Sequence, residues 1–155
     1  MEAKTAEKIK SDLLAACQIY VERRVSTARE AMEAAQQAAN SEAKSSAGDK
    51  YTTTRAMMHQ EREKSATQLA QALDLRRVLE QLQPSIGGDS VAFGSLVITT
   101  QGNFYISIPA GKIRVGRKDY FAISANSPIG AQLSGLKVKD NVTFNEKKYR
   151  IKEII

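Results

Sequence analysis

The chain is predicted to be an α+β protein, a long antiparallel α-helical coiled-coil hairpin followed by a small, mostly antiparallel β domain with one short helix. Three observations carry that prediction. Apolar residues recur every three or four positions, uninterrupted by Gly or Pro, from Thr5 to about Asn40 and again from about Thr53 to Leu82. Beyond Leu82 the period falls to two, in short β-branched and aromatic runs. The two regimes meet at QPSIGGDS, where a proline and paired glycines mark a boundary, so 1–82 is assigned to the hairpin and 83–155 to the β domain.

The first helix is read from Ile9, Leu13, Ala16, Tyr20, Ala28, Ala31, Ala35 and Ala38, with charged residues between them. The second carries Met58, Ser65, Leu69, Ala72, Leu79 and Leu82. Both stripes are narrow and alanine-rich, too thin for a multilayered core and suited to two helices packed along one seam. A short connection makes them antiparallel. The stretch SEAKSSAGDKYTTTRAMM supplies that connection, its tip at about 41–54: Gly48 tolerates a left-handed turn, and Asp49 or one of Thr52, Thr53 and Thr54 can cap the second helix. Arms of this length would place the turn on the order of 50 Å from the far end of the hairpin.

In the second half FGSLVITT, NFYISI, KIRV, DYFAIS, NVTFN and KYRIKEI read as strands, separated by the turn signals QGN, PAGK, VGRK and NEKK. Five or six strands with such turns make a mostly antiparallel sheet. Between DYFAIS and NVTFN, Ser127-Pro128 can open a short helix through Gln132 and Leu133 that Gly135 closes.

At 155 residues, with 42% hydrophobic and 26% charged side chains, the composition is that of a globular chain and not a disordered one. No apolar run is long enough to span a membrane, and the charged start MEAKTAEKIK is unlike a secretory signal, so a cytoplasmic protein with no membrane partner is expected. Cys17 is the sole cysteine, which excludes an intramolecular disulfide and a cysteine-based metal cluster. His59, the sole histidine, lacks a companion at metal-ligand spacing and reads as a solvated helix residue. The net charge is +6, and it is uneven: residues 1–82 hold 13 Lys and Arg against 12 Asp and Glu, residues 83–155 hold 10 against 5. Much of the excess alternates along strands, as in KKYRIK at 147–152, the pattern of a solvated sheet face, although such a face can also meet RNA or an acidic protein surface.

The run FAISANSPIGAQLSGLKVKDNVTF, followed by KYRIKEI, resembles the C-terminal signature of the bacterial Gre factors, the GreA/GreB family that rescues backtracked RNA polymerase, and VAFGSLVIT resembles the opening of that domain. The most specific part is 126–142, and the order of elements agrees over nearly the whole chain. The resemblance implies an FKBP-like fold for the β domain. It also implies a transcription elongation factor whose β domain binds the rim of the polymerase secondary channel and whose hairpin tip enters the channel towards the nascent RNA. The chain would then be a regulator and not an enzyme, since the cleavage chemistry belongs to the polymerase; a monomer is expected.

Residue by residue, Asn126, Ser127, Pro128, Ile129 and Gly130 match the polymerase-binding loop, and Leu133 and Gly135 the helix behind it. The family's tip pattern is Gly-Asp, two residues, then Glu. Gly48 and Asp49 match its first two positions, but Thr52 stands in place of the glutamate and Lys50 lies beside the aspartate. Asp49 is therefore the implied catalytic tip residue, with Glu42 a substitute second carboxylate. No tightly bound cofactor is expected, only a Mg²⁺ shared between Asp49 and the polymerase active site. Arg55 and Arg62, on the second arm near the tip, are candidate RNA contacts. Two other classes stay open: a secondary-channel regulator or inhibitor without efficient cleavage stimulation, and a prolyl isomerase, which rests only on the implied fold.

Overall fold

The computed structural model describes residues 2–45, 49–82 and 87–155, and the side chains of 42–45 and 49–52 lie outside that description. Helix α1 spans Ala3–Ser45 and α2 spans Asp49–Glu80. Each runs several residues further towards the connection than the apolar periodicity marks, because SEAKS and the stretch from Asp49 contain no Gly or Pro to stop a helix. The chain divides into two compact units, Tyr20–Arg76 and, together, Met1–Ile19 with Arg77–Ile155.

In the helical unit Val21, Val25, Ala28 and Ala35 of α1 are buried, as are Ser65 and Ala72 of α2. Steps of three and four keep these side chains on one face of each helix, and their small size allows close approach of the backbones. An ion pair fixes the direction: Arg76 donates through Nε and Nη2 to the two Glu22 carboxylate oxygens, both at 2.8 Å. Glu22 and Arg76 are equally far in sequence from Asp49, as an antiparallel pair requires. The Arg76 hydrogen bonds hold the Glu22 carboxyl below the usual carboxylate range. Arg24 lies 5.7 Å from the Tyr20 ring centroid and donates to its hydroxyl at 3.0 Å.

The other unit is built on a six-stranded sheet: β1 (Leu96–Thr99), β2 (Asn103–Ile106), β3 (Gly111–Val115), β4 (Lys118–Ile123), β5 (Asn141–Phe144) and β6 (Lys147–Ile154), with α3 (Pro128–Leu133) between β4 and β5. The order across the sheet is β3-β4-β2-β1-β6-β5. Every pairing is antiparallel except β2 with β4, which the β3–β4 hairpin carries back alongside β2 in parallel. The β5–β6 hairpin turns through Asn145 and Glu146, both at positive φ (49° and 66°), which suits the right-handed twist of the strands it joins.

Alternation along the strands gives the sheet two apolar faces. On one, Val97, Phe104, Ile106 and Ile151 pack with Leu133 of α3 and Val91 into a single cluster. The opposite face presents Leu96 across from Tyr105, with Tyr105 in turn beside Ala122. The start of α1 belongs with this second face. Leu13 and Cys17 are fully buried, the Cys17 sulfur lies 3.9 Å from Ser107 Oγ, and the buried Lys10 donates through Nζ to the Ile155 carbonyl oxygen at 3.1 Å. Burial pushes the Tyr105 phenol up to about 12, with the nearby Cys17 a second cause. The Cys17 thiol is itself raised by burial, against the opposing Ser107 contact, as befits a thiol packed as a small apolar side chain. Among the described residues no helix is long and apolar enough to cross a membrane.

Candidate functional site

The segment from Ser124 to Leu136 converts a strand end into a short helix through a closed set of local hydrogen bonds. Ser124 receives the chain: its Oγ accepts from the Asn126 amide at 3.1 Å, and its carbonyl accepts from both the Ser127 amide (3.1 Å) and the Ser127 hydroxyl (2.6 Å). Ser127 is the N-cap of α3, extended at φ −65° and ψ 157°, and its Oγ accepts from the Gly130 amide at 3.1 Å. Pro128 follows in the first helical turn, where its missing N–H costs nothing. At the other end Ser134 closes α3, its amide and hydroxyl both donating to the Gly130 carbonyl at 3.0 and 2.7 Å. Gly135, at φ +83°, turns the chain so that its amide reaches the Val91 carbonyl at 2.8 Å.

The glycine at 130 is required by space. A Cβ there would overlap the Ser124 carbonyl oxygen and stand 2.7 Å from Ser127 Oγ. Gly130 and Leu133 are buried, and Ile129 packs against the core cluster, so α3 is anchored from beneath. Asn126 and Pro128 are left exposed on the fixed backbone above it. Of the five residues assigned to partner binding, three therefore build the loop (Ser127, Ile129, Gly130) and two form its outer surface (Asn126, Pro128). Ser124 was not singled out from the sequence, although it holds the loop from its first residue. The spacing Ser-x-x-Ser-Pro is the signal for it, a hydroxyl three residues ahead of an N-cap.

Of the hairpin candidates, Arg55 and Arg62 are exposed on α2. Seven residues apart, they share one helix face, about 10 Å apart along the axis. Met57 beside them is 57% exposed, and Met58 is half-buried. His59 is solvated, its Nε2 3.7 Å from Glu63. Asp49 begins α2 and Glu42 lies in α1, but the side chains of both, that of Thr52, and Gly48 as a whole fall outside the described residues. Among the described residues no three His, Cys, Asp or Glu side chains gather as a metal site. Around Asp49 the sequence offers one carboxylate, a neutral hydroxyl at Thr52 and the ammonium of Lys50, a donor set that does not make a magnesium site on its own.

Fold and site together define an α+β chain in which a helical hairpin is joined to a six-stranded sheet bearing a serine-capped loop. No family model and no curated protein matches the sequence. Among solved structures, one described as the structure of the transcription factor Gfh1 is similar to this chain at 20% identity, over 86% of this chain and 90% of the other, with a TM-score of 0.33.

Proposed function

We propose that the protein is a regulator of RNA polymerase of the Gre type, which docks through the loop 126–130 and carries its hairpin into the secondary channel to act on backtracked or paused complexes. The observation that carries this reading is the Ser127-capped loop. The run NSPIG, through which the sequence resembles the Gre docking signature, is held rigid by Ser124, Ser127 and Gly130 and offers Asn126 and Pro128 to a partner. Preorganisation of that kind lowers the ordering cost of binding.

At the other end of the reading, Asp49 is delivered to the polymerase active site, where the polymerase hydrolyses the transcript itself. A divalent ion shared there would activate the attacking water. Asp49 supplies one carboxylate towards it. The presence of Thr52 and Lys50 favours a second form of the reading, in which the factor occupies the channel and alters pausing without efficient cleavage.

Stalled, backtracked elongation complexes separate these. On the first form, adding the protein releases 3′ RNA fragments, more Mg²⁺ is needed than a two-carboxylate tip would require, and Asp49→Ala abolishes release. Binding without fragment release selects the second form. In both, Asn126→Ala with Pro128→Ala weakens polymerase binding about tenfold or more. Equal binding by that double variant, or no binding by the native chain, overturns the docking assignment.

A further inference from the structure

We propose that the groove between the start of α1 and the β3–β4 hairpin is a second docking site, one that takes an acidic peptide segment carrying an apolar side chain. The groove encloses about 440 Å³ and is lined by Thr5, Lys8, Ile9 and Asp12 from α1, and by Val115, Tyr120 and the turn Gly116–Lys118 from the hairpin. Positions 5, 8, 9 and 12 fall on one helix face, next to the buried Ala6, Lys10 and Leu13. Gly116, at φ +64°, makes the tight turn that brings Arg117 and Lys118 to the rim.

Three features define the occupant. The floor is made of Ile9 and Val115, both half-buried, a surface for an aliphatic side chain. Around it stand Lys8, Arg117 and Lys118 against the single carboxylate of Asp12, so the rim is complementary to acidic groups. Thirdly, Tyr120 is only 1% exposed, yet its hydroxyl finds no hydrogen-bond partner among the described residues and is not sealed from the groove that it lines. A phenol so placed is a donor awaiting an acceptor, which a peptide carbonyl or a carboxylate supplies. A nucleic-acid strand fits less well: with Tyr120 only 1% exposed, no aromatic face in the groove is open for stacking a base. The site is separate from the loop at 126–130, and its assignment does not depend on the polymerase reading.

The test uses the full chain and a fluorescein-labelled peptide, Asp-Glu-Asp-Leu-Asp-Glu-Asp, followed by anisotropy, with circular dichroism confirming that each variant is folded. Binding is expected to weaken with added salt, to fall about tenfold or more in Arg117→Glu/Lys118→Glu, and to fall about threefold to tenfold in Tyr120→Phe, which removes only the hydroxyl. A peptide with the leucine replaced by serine should bind several-fold more weakly. Asn126→Ala/Pro128→Ala should leave peptide binding unchanged. The proposal is overturned if the peptide does not bind at millimolar protein, if Tyr120→Phe and the charge reversal leave its affinity unaltered, or if a short oligouridylate displaces it from the same residues with higher affinity.

Discussion

Single residues carry the loop at 124–135, and their roles differ in kind. Ser127→Ala removes a cap and the hydroxyl that ties it to Ser124, and should cost about 1 kcal/mol in urea unfolding. Gly130→Ala forces a methyl group into the Ser124 carbonyl and should cost more, about 2 kcal/mol or above. If Gly130→Ala proves the milder change, the overlap read from the backbone is not the constraint that sets this residue. Proline after serine could be read from sequence as a helix start, and Gly135 as its end, because each acts within a few bonds. The close approach at Gly130 was not legible in that way, since it depends on where the strand before the loop directs a carbonyl. Tyr105 is a further case. Unfolded tyrosine ionises near pH 10, whereas burial holds the folded phenol protonated to about 12. The folded state thus binds more protons than the unfolded state above pH 10. The contribution of Tyr105 is fully present below that pH and is lost as pH rises through the folded value. The urea midpoint should fall over that window, and the fall should be smaller in Tyr105→Phe.

At the scale of elements, type and order were legible and phase was not. All six strands and the short helix fall at the segments that alternation and turn residues mark, with β3, β4 and β6 each starting one residue earlier, at Gly111, Lys118 and Lys147, because β-branched runs broken by Gly, Pro and Asn leave few other solutions. The helices were found, but the buried stripe of α1 was displaced. It runs through Ala6, Lys10, Leu13, Cys17, Val21, Val25, Ala28 and Ala35, whereas Ala31 is exposed and Ile9 and Tyr20 are only half-buried. Alanine stands on every side of this helix, so three-and-four spacing admits more than one phase, and a lysine inside the stripe argues against the correct one. Ala28 and Ala31 test the phase directly. Ala28→Glu places a carboxylate in the seam and should destabilise by about 2 kcal/mol or more, while Ala31→Glu should stay within about 0.5 kcal/mol. Helical circular dichroism against urea would read both, and equal effects would mean that the seam is not where burial places it.

At the scale of the whole molecule, the two compact units have cores of different quality. The sheet unit buries large side chains, among them Tyr120, Leu96, Ile106, Ile108, Leu133 and Ile151. The unit Tyr20–Arg76 buries Val21, Val25, Ala28, Ala35, Ser65 and Ala72, much smaller side chains, and one of its cross-helix ties, Glu22 with Arg76, is exposed to solvent and salt. Burial stabilises by about 0.8 kcal/mol per methylene, so a seam of alanine, serine and valine gives each turn of helix far less than a leucine or tyrosine core gives each strand. Helices of this length are also held together mainly by tertiary contacts. The hairpin unit should therefore open at a lower free energy than the sheet. Native-state hydrogen exchange at rising urea is expected to show amides between 20 and 76 exchanging through a smaller opening than those of β2 and β4. Added salt, by screening Glu22 and Arg76, should lower the opening free energy of the hairpin more than that of the sheet. A single opening free energy shared by both units, with equal urea dependence, would show instead that the hairpin is stabilised by the same cooperative core as the sheet.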